Sequence, residues 1–354
     1  MRIIILTIDS YNHGNRLQNF ALTRVLETCS DATVKTARIR NFGTLRNTLW
    51  FPLSFGKALL RSCYSLADRR AVKFLEFTHK YIPTIQIRPR QLIESDAIVV
   101  IGSDQCWNPN WDLGARYDGL QCAIGKEASK KLSYAASFGI SRDTFPKDWE
   151  QRYGAWLKTF QSISVREDEA VSVVQDISGM EAQWVLDPTM LIDVKVWETI
   201  EKKPKGFPWK SGEYCLRYIL GNEKDNLRIK KYAQENQVSV YELLKTTPDI
   251  GPSEFLWLIH HAHSVITDSF HGSVFSLLFH KRLFVLSRED HLGDMSSRFE
   301  TLKRFAGFEK CLIDNEDYPI CATEEMDWDC FEDILMGYRN ASLDWLKDAL
   351  RRCV

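Results

Sequence analysis

Short apolar runs alternate with polar loops and helical patterns along the chain, and one stretch shows this most clearly. Val265 and Ile266 form an apolar run typical of a strand buried in a parallel sheet. Turn-favouring residues occupy 267–269, and apolar positions recur at helical spacing after Gly272. Those positions are Val274, Phe275, Leu277 and Leu278. The stretch therefore predicts a strand, a sharp turn and a helix that begins beside His271.

The predicted turn at His271 has the chemistry of an anion site. A helix that starts there directs backbone N–H groups and the positive end of its dipole toward a ligand, which suits an anion. The imidazole of His271 can also give a proton to a reacting group. The alternative is a capped helix whose histidine fills a gap at the surface.

A similar strand, loop and helix open the chain. The run from Ile3 to Ile8 predicts a buried strand, and an apolar helical face begins at Leu17. Four large polar side chains lie at the connection, Asn15, Arg16, Gln18 and Asn19. A plain turn requires fewer, so we predict a ligand-binding corner of an α/β sheet.

The next predicted strand, 96–101, also ends in polar residues. Asp104 and Gln105 follow at its carboxyl end, and Trp107 comes shortly after. The carboxylate of Asp104 could accept a proton from a sugar hydroxyl, or it could cap a helix. The ring of Trp107 could stack on a sugar face.

Two further segments continue the pattern. Residues 132–139 predict a strand that ends in small side chains, and 163–167 predict another with Arg166 just beyond it. Arginine suits bidentate capture of a carboxylate or phosphate. Arg166 could instead pair with Glu167 or Asp168.

Chain length and one polar stretch predict two domains. At 354 residues the chain exceeds the size at which a single core stops growing. Residues 202–212 are rich in Pro, Gly and Lys and indicate a linker, so we place two Rossmann-like α/β domains at 1–200 and 201–354. An amphipathic helix from Leu343 to Leu350 closes the chain and could pack back on the first domain.

Composition narrows the function classes. Hydrophobic content of 44% and charged content of 26% are those of a soluble globular protein, and the net charge of −1 argues against nucleic-acid binding. The nine cysteines form no C-x-x-C pair, no signal peptide is evident, and no stretch approaches the roughly 20 apolar residues of a membrane span. We therefore expect a cytoplasmic protein with reduced thiols.

The segment 47–81 is both aromatic and basic. It predicts one or two amphipathic helices that could lie peripherally against an anionic surface at the inner face of the cytoplasmic membrane. Packing of this face onto its own domain is the alternative. Its basic residues include Lys57, Arg61, Arg69, Arg70 and Lys73.

Six of the eight histidines lie between His260 and His291, which raises the question of a zinc site. On a helix, His260 and His263 share one side while His261 points away. No Cys or carboxylate follows at ligand spacing. We therefore predict no metal site from the sequence.

Six short motifs occur in order along the chain. They are Gly14-Asn15-Arg16-Leu17-Gln18-Asn19, the loop 102–109 (Gly-Ser-Asp-Gln-Cys-Trp-Asn-Pro), 134–139 (Tyr-Ala-Ala-Ser-Phe-Gly), 164–167 (Ser-Val-Arg-Glu), 186–189 (Leu-Asp-Pro-Thr) and 267–272 (Thr-Asp-Ser-Phe-His-Gly). Each motif alone is weak, but the ordered series is specific. The series resembles the polysaccharide pyruvyl transferase family and covers nearly the whole chain.

The resemblance implies a GT-B-like fold, with two Rossmann-like α/β domains and the active site in the cleft between them. It implies phosphoenolpyruvate as the donor substrate, no separate cofactor, and a sugar hydroxyl pair as the acceptor. The product would be a cyclic pyruvate ketal in capsule or exopolysaccharide biosynthesis, formed on a lipid-linked oligosaccharide. The first domain would hold the acceptor and the second the donor.

The resemblance also maps roles onto residues. His271 falls on the family's motif histidine and suits a general acid, Arg166 falls on its Ser-x-Arg arginine, and we take Asp104 as the candidate base. The expected donor-binding residues are Arg166, Ser269, Gly272, Arg288, His291 and Arg298. The expected acceptor-binding residues are Asn15, Arg16, Gln18, Ser103, Gln105 and Trp107. Some members carry a lysine after the histidine; 287–291 contains none, and Arg288, His291 or Arg298 could replace it.

Two rival functions fit the same pattern. A glycosyltransferase with this fold would use a nucleotide sugar, but many such enzymes grip the ribose with a glutamate in the equivalent helix, and 273–280 contains no acidic residue. A catalytically silent sugar- or lipid-binding protein would keep the fold without turnover.

Overall fold

The chain is built from two compact α/β units. The computed structural model describes residues 1–39, 50–62, 66–87, 96–110, 130–221, 226–246, 249–286, 289–290, 293–294, 297–305, 307–312 and 326–354. The first unit comprises Met1–Lys57, Thr78–Ile192 and Gly337–Val354. The second comprises Ala58–Phe77 and Asp193–Met336. The first unit thus includes Gly337–Val354 from the C-terminal part of the chain, and the second includes Ala58–Phe77 from the N-terminal part. Neither unit is one continuous segment.

The described secondary structure alternates strands with helices. The strands are β1 (Arg2–Leu6), β2 (Thr33–Ile39), β3 (Thr84–Ile87), β4 (Ile98–Ile101), β5 (Lys131–Ser133), β6 (Ser164–Val165), β7 (Gln183–Trp184), β8 (Tyr214–Tyr218), β9 (Ser239–Glu242), β10 (Ser264–Thr267), β11 (Arg282–Val285), β12 (Glu289–Asp290) and β13 (Gly293–Asp294). The helices are α1 (His13–Cys29), α2 (Trp50–Ser62), α3 (Leu66–Tyr81), α4 (Lys147–Leu157), α5 (Asp168–Ser178), α6 (Val194–Ile200), α7 (Asn226–Glu235), α8 (Leu243–Thr246), α9 (Pro252–His260), α10 (Phe270–Leu278), α11 (Ser297–Glu300) and α12 (Trp328–Arg352).

The first unit contains a five-stranded parallel sheet in the order β3-β2-β1-β4-β5. All four residues of β4 are buried, as expected for a strand covered on both faces. The chain leaves β1 through α1 to β2 on one side, whereas β4 lies on the other side of β1. This reversal creates a topological switch point at the carboxyl ends of β1 and β4, where α/β sheets bind ligands.

The second unit repeats the principle with the parallel order β11-β10-β8-β9. All five residues of β8 and all four of β10 are buried. Because β9 and β10 flank β8 on opposite sides, the switch point of this sheet lies at the carboxyl ends of β8 and β10. The α/β class and the two parallel sheets are confirmed.

One predicted strand is shorter than the sequence suggests. Residues 132–139 were predicted as a strand, but β5 ends at Ser133, and Ala135 has a positive φ of 48°. The extended pattern continues only through isolated parallel bridges, including Ala136 with Val165. The segment therefore turns between neighbouring strands instead of continuing the ladder.

The closing helix is longer than predicted. The sequence indicates 343–350, whereas α12 runs from Trp328 to Arg352. In its C-terminal part, which belongs to the first unit, Ser342 Oγ accepts a hydrogen bond of 3.0 Å from the backbone N–H of Leu186. The ring of Tyr338 packs edge-on against Trp184 at 5.0 Å between centroids. These contacts fix α12 against the chain that follows β7.

Two general features of the described residues bear on the sequence analysis. The described residues include six free cysteines, which are Cys29, Cys106, Cys215, Cys311, Cys330 and Cys353. None of the described helices combines the length and the apolar character that crossing a bilayer would require.

Two helical glycines of the first unit offer a matched stability test. A Cβ added to Gly154 in α4 would lie 2.2 Å from the carbonyl oxygen of Ile177 in α5, whereas one added to Gly337 in α12 would meet no atom within 4 Å. We expect Gly154→Ala to lower the free energy of unfolding by about 1–3 kcal/mol because the two helices must separate. Gly337→Ala should raise it by about 0.5–1 kcal/mol because alanine favours the helix.

Urea unfolding of both variants beside the wild type measures these changes. Equal stability of Gly154→Ala and the wild type would mean that α4 and α5 do not approach as closely as described.

Candidate functional site

A buried ionic cluster surrounds Arg166 in the first unit. The side chain of Arg166 is 1% exposed, and its Nη1 donates to Asp187 Oδ2 at 3.2 Å. Its Nε donates to Glu167 Oε1 at 3.2 Å, and its Nη2 donates to Ser137 Oγ at 3.3 Å. Asp104 Oδ1 lies 3.7 Å from Nη1. All three guanidinium nitrogens therefore have protein partners.

The cluster keeps Arg166 charged. Burial alone lowers the pKa of a guanidinium, but the charges of Glu167, Asp104 and Asp187 outweigh this and raise the pKa of Arg166 above its ordinary value. The donor contact predicted for Arg166 is not available in this arrangement, because the side chain is buried and its guanidinium nitrogens already donate to protein partners. The pairing with Glu167 that the sequence left open is present.

Asp104 is the most solvent-accessible member of the cluster. Its side chain is 18% exposed, against 5% for Glu167 and 0% for Asp187. Asn15 Nδ2 donates to Asp104 Oδ2 at 3.5 Å, and the residue has a φ of 70°, in the left-handed region that Asp tolerates better than most residues. One carboxylate of the cluster therefore reaches the switch point of the sheet.

The loop before Asp104 is held by predicted acceptor residues. Ser103 donates through Oγ to Asp187 Oδ2 at 3.1 Å and through its backbone N–H to Gln18 Oε1 at 3.2 Å. Gln18 also donates to Thr7 Oγ1 at 3.0 Å. A Cβ at Gly102 would lie 2.1 Å from the carbonyl oxygen of Tyr134, so only glycine fits there. Gln18 and Ser103 thus shape the loop from buried positions.

Asp187 is the residue of this cluster that the sequence analysis missed. Its Oδ1 accepts hydrogen bonds from the N–H and the Oγ1 of Thr189, at 3.0 and 2.7 Å. Its Oδ2 accepts from Nη1 of Arg166 and Oγ of Ser103. The available signal was the Leu186-Asp187-Pro188-Thr189 motif, in which an Asp precedes a short turn. That pattern predicts that the Asp side chain caps the turn, but it does not show that the same side chain also binds Arg166.

Three further acceptor predictions fall elsewhere in the first unit. Trp107 is completely buried, with its ring 5.4 Å from Phe138 and 5.6 Å from Phe160, so it serves the core and offers no face to a sugar. Arg16 is buried and pairs with Asp9, which also binds Arg38 at 3.1 Å.

Gln105 likewise faces inward. Its Oε1 accepts from Asn108 Nδ2 at 3.4 Å, and its side chain fills the space where a Cβ on Gly139 would lie. Burial raises the pKa of the neighbouring Cys106 thiol to about 12, which excludes a thiolate nucleophile at this position.

His271 lies at the switch point of the second unit, on the first turn of α10. Ser269 is the N-cap, and its Oγ accepts from the N–H of Gly272 at 3.3 Å. A Cβ on Gly272 would lie 2.7 Å from Thr267 Oγ1, so this glycine lets the helix start close to β10. The sequence-predicted strand, turn and helix are confirmed, and the positive end of the α10 dipole lies beside the imidazole.

The turn before α10 is rigidly held. Asp268 is buried and accepts from the backbone N–H groups of Leu220 and Gly221, at 2.7 Å each, which ties the end of β10 to the end of β8. Thr267 Oγ1 donates to the carbonyl oxygen of Tyr218 at 2.7 Å. His271 itself is 7% exposed and packs edge-on to Phe270. Three hydrogen bonds therefore tie the turn that carries His271 to the end of β8 and the residues after it.

The remaining donor predictions cannot be placed. Arg288 and His291 lie outside the described residues. Arg298 belongs to α11, but its side chain is outside the described part of the chain. The donor contacts expected from these three residues stay predictions.

Several solved structures are similar to this chain at low sequence identity. Solved structures similar to this chain include a putative UDP-N-acetylglucosamine 2-epimerase from Listeria monocytogenes, at 11% identity, 98% coverage of this chain, 90% of that chain and a TM-score of 0.49. Another is an E. coli heptosyltransferase with ADP, at 10% identity, coverage of 84% and 89%, and a TM-score of 0.38. No curated protein matches the chain in sequence.

The family comparison is more informative. The model of the polysaccharide pyruvyl transferase family matches residues 12–291, which is more than half of the 354 residues. The match contains both switch points, with Asp104 and Arg166 at one and His271 at the other. The chain belongs to the polysaccharide pyruvyl transferase family.

Proposed function

We propose that this protein transfers pyruvate from phosphoenolpyruvate to two hydroxyls of a sugar, forming a cyclic ketal in capsule or exopolysaccharide biosynthesis. The observation that carries the proposal is the position of His271. A proton-donating side chain stands at the helix start of a sheet switch point, within a chain of this family. No separate cofactor is needed for the chemistry.

Each part of the donor suits the second unit. Protonation of the methylene carbon of phosphoenolpyruvate makes C2 electrophilic, and His271 is the proposed general acid. The donor's phosphate and carboxylate are attracted by the positive end of the α10 dipole. Attack by one sugar hydroxyl at C2, loss of phosphate and attack by the second hydroxyl complete the ketal.

The acceptor hydroxyl requires a base, and Asp104 is the proposed one. It combines partial exposure with a fixed position beside Asn15. Arg166 acts through Asp104 as a positioning residue, because its charge holds the three carboxylates together from inside the protein. In this proposal the first unit binds the acceptor and the second unit binds the donor.

His271→Asn tests the general acid. We expect turnover, measured as phosphate released from phosphoenolpyruvate with a sugar acceptor, to fall by about 10² or more, since a positioned acid contributes 10²–10⁴-fold. His263→Asn is the matched control, because His263 precedes β10 at its amino end whereas His271 follows its carboxyl end. Near-normal turnover by His271→Asn would overturn the assignment.

The same assay separates the rival functions. Wild-type protein incubated with UDP-sugars in place of phosphoenolpyruvate should transfer no sugar. Transfer from a UDP-sugar would support a glycosyltransferase, and ligand-induced stabilisation without turnover on either donor would support a silent binding protein.

Arg166 gives a test that distinguishes positioning from donor binding. Arg166→Met leaves buried carboxylates without their cation and should lower the free energy of unfolding by about 3–5 kcal/mol. Arg166→Lys keeps the charge but loses the planar guanidinium that binds several partners at once. Because Arg166 positions Asp104 and does not contact the donor, we expect a reduced kcat with the KM for phosphoenolpyruvate changed less than about twofold.

Urea unfolding and steady-state kinetics supply both measurements. A large rise in the KM for phosphoenolpyruvate in Arg166→Lys, with kcat retained, would restore the donor contact predicted from the sequence.

The acceptor is proposed to be a lipid-linked oligosaccharide reached at the inner face of the membrane. Lys57, Leu60 and Arg61 recur at helical spacing on α2 and are all exposed, with Leu60 at 76%. Lys73 instead pairs with Glu254 at 2.9 Å, and Arg69 lies 4.0 Å from Asp249. The basic segment thus divides into an exposed α2 patch (Lys57, Leu60 and Arg61) and residues that pair within the second unit.

Sedimentation with anionic and neutral vesicles at low and high salt tests this contact. We expect salt-sensitive recovery with anionic vesicles because each basic residue near the surface contributes about 1 kcal/mol. Binding should be lost when the α2 patch is changed to serines and kept when Lys230 and Lys231, two exposed residues of α7, are changed instead. Equal recovery in the supernatant under every condition would mean that no peripheral contact forms.

A further inference from the structure

Three potential metal ligands converge at the end of α9 in the second unit. His260 Nδ1 lies 2.9 Å from Glu201 Oε2, and His261 Nε2 lies 4.0 Å from Glu201 Oε1. One ligand atom from each residue can be chosen so that all three lie within 4.8 Å of one another. Tetrahedral zinc with bonds of about 2.0–2.1 Å separates its ligand atoms by about 3.3 Å. Small side-chain movements would therefore suffice to close a site.

The end of the helix is what brings the two histidines together. Neighbouring residues inside a helix diverge, which is why the sequence argued against a site. His260 is the last residue of α9, and His261 is its C-cap with φ −100° and ψ 3°, outside the helical region. Their ring centroids lie 4.7 Å apart. The carboxylate comes from another element, the residue that follows α6, and so could not be found by spacing within the helix.

Packing fixes each ligand in advance. The ring of His260 stacks on Phe279 at 4.4 Å and that of His261 stacks on Trp257 at 4.4 Å. Glu201 is the C-cap of α6, and its backbone N–H donates to the carbonyl oxygen of Trp197 at 3.0 Å. The three side chains are 14–28% exposed. An ion could reach them without opening the core.

We propose that Glu201, His260 and His261 form a binding site for a borderline divalent cation such as Zn²⁺, completed by water. Imidazole nitrogens and a carboxylate are preferred zinc ligands, and three protein ligands with an open fourth position are an established arrangement. The sequence-based expectation of no metal site considered only one helix. The structure supplies the missing carboxylate from a second element.

The site has a structural role in this proposal. His260 and His261 precede β10 at its amino end, whereas the proposed general acid His271 follows its carboxyl end. The ion would join the C-terminus of α6 to that of α9, and the chain just after α6 already donates a hydrogen bond of 3.0 Å from the N–H of Lys202 to the carbonyl oxygen of Ser253 in the first turn of α9. Metal binding should therefore stabilise the second unit without supplying chemistry.

One nearby cation competes with the ion. The ammonium of Lys281 interacts electrostatically with both Glu201 and His261, and burial lowers the pKa of Lys281 while the charge of Glu201 acts in the opposite direction. Lys281→Met keeps all three ligands and removes this positive charge. It should therefore bind the metal more tightly than the wild type.

The test uses the full chain treated with a chelator and then titrated with ZnCl₂. We expect one Zn²⁺ per chain, a zinc-dependent rise in Tm, and visible d–d absorption of a tetrahedral type when Co²⁺ replaces Zn²⁺. His260→Gln and Glu201→Gln should each weaken Zn²⁺ affinity by at least about 100-fold, since even a lost outer-shell partner costs 10–100-fold. Turnover of phosphoenolpyruvate by the chelator-treated wild type should be unchanged.

His280→Gln is the matched control. His280 Nε2 also pairs with a carboxylate, Glu332 Oε1 at 2.8 Å, but it is not part of a three-ligand group within the described residues. This variant should bind zinc as the wild type does. Equal affinity of His260→Gln and the wild type, absence of zinc binding by the wild type, or no gain in Lys281→Met would each overturn the site and leave His260 and Glu201 as a hydrogen-bonded pair only.

Discussion

The first unit depends on one buried positive charge. A guanidinium removed from water is costly unless it is paired and hydrogen-bonded, and Arg166 meets that requirement only when distant chain segments converge. Ser103 and Asp187, 84 residues apart, are themselves hydrogen-bonded within this convergence. The position of Asp104 at the switch point is thus a consequence of a charge that does not meet solvent. The proposed base is placed by electrostatics inside the fold.

In the second unit, hydrogen bonds between polar side chains and the backbone fix the residues before α10. Thr267, Asp268 and Ser269 satisfy backbone groups of β8 and of the first turn of α10. The N-cap of α10 is the neutral Ser269, and the carboxylate of Asp268 is bound by the backbone N–H groups of Leu220 and Gly221, so the positive end of the α10 dipole is suited to an anion. The first unit thus presents a carboxylate at its switch point, and the second presents a helix start whose positive dipole end attracts an anion.

Local periodicity explains what the sequence could predict. β1 and β4 contain continuous apolar runs, β10 contains Val265 and Ile266, and the Thr-Asp-Ser turn with Gly272 marks the start of α10, so these elements and the position of His271 at a helix start could be predicted. Trp107 was misread because a core aromatic and a sugar-stacking aromatic look identical in sequence. For Arg166 the sequence left both donor capture and pairing with Glu167 or Asp168 open, because two of its partners, Ser137 and Asp187, lie on distant segments.

The same limit explains the histidines at the end of α9. A helical wheel assigns His260 and His261 to different sides, and this is correct only inside the helix. At the C-cap the backbone leaves helical geometry, and the rings are then directed by the aromatic surfaces on which they stack. Glu201, the C-cap of α6, reaches them through its side chain from another element. Groups that act across elements become visible only when packing has decided where each helix stops.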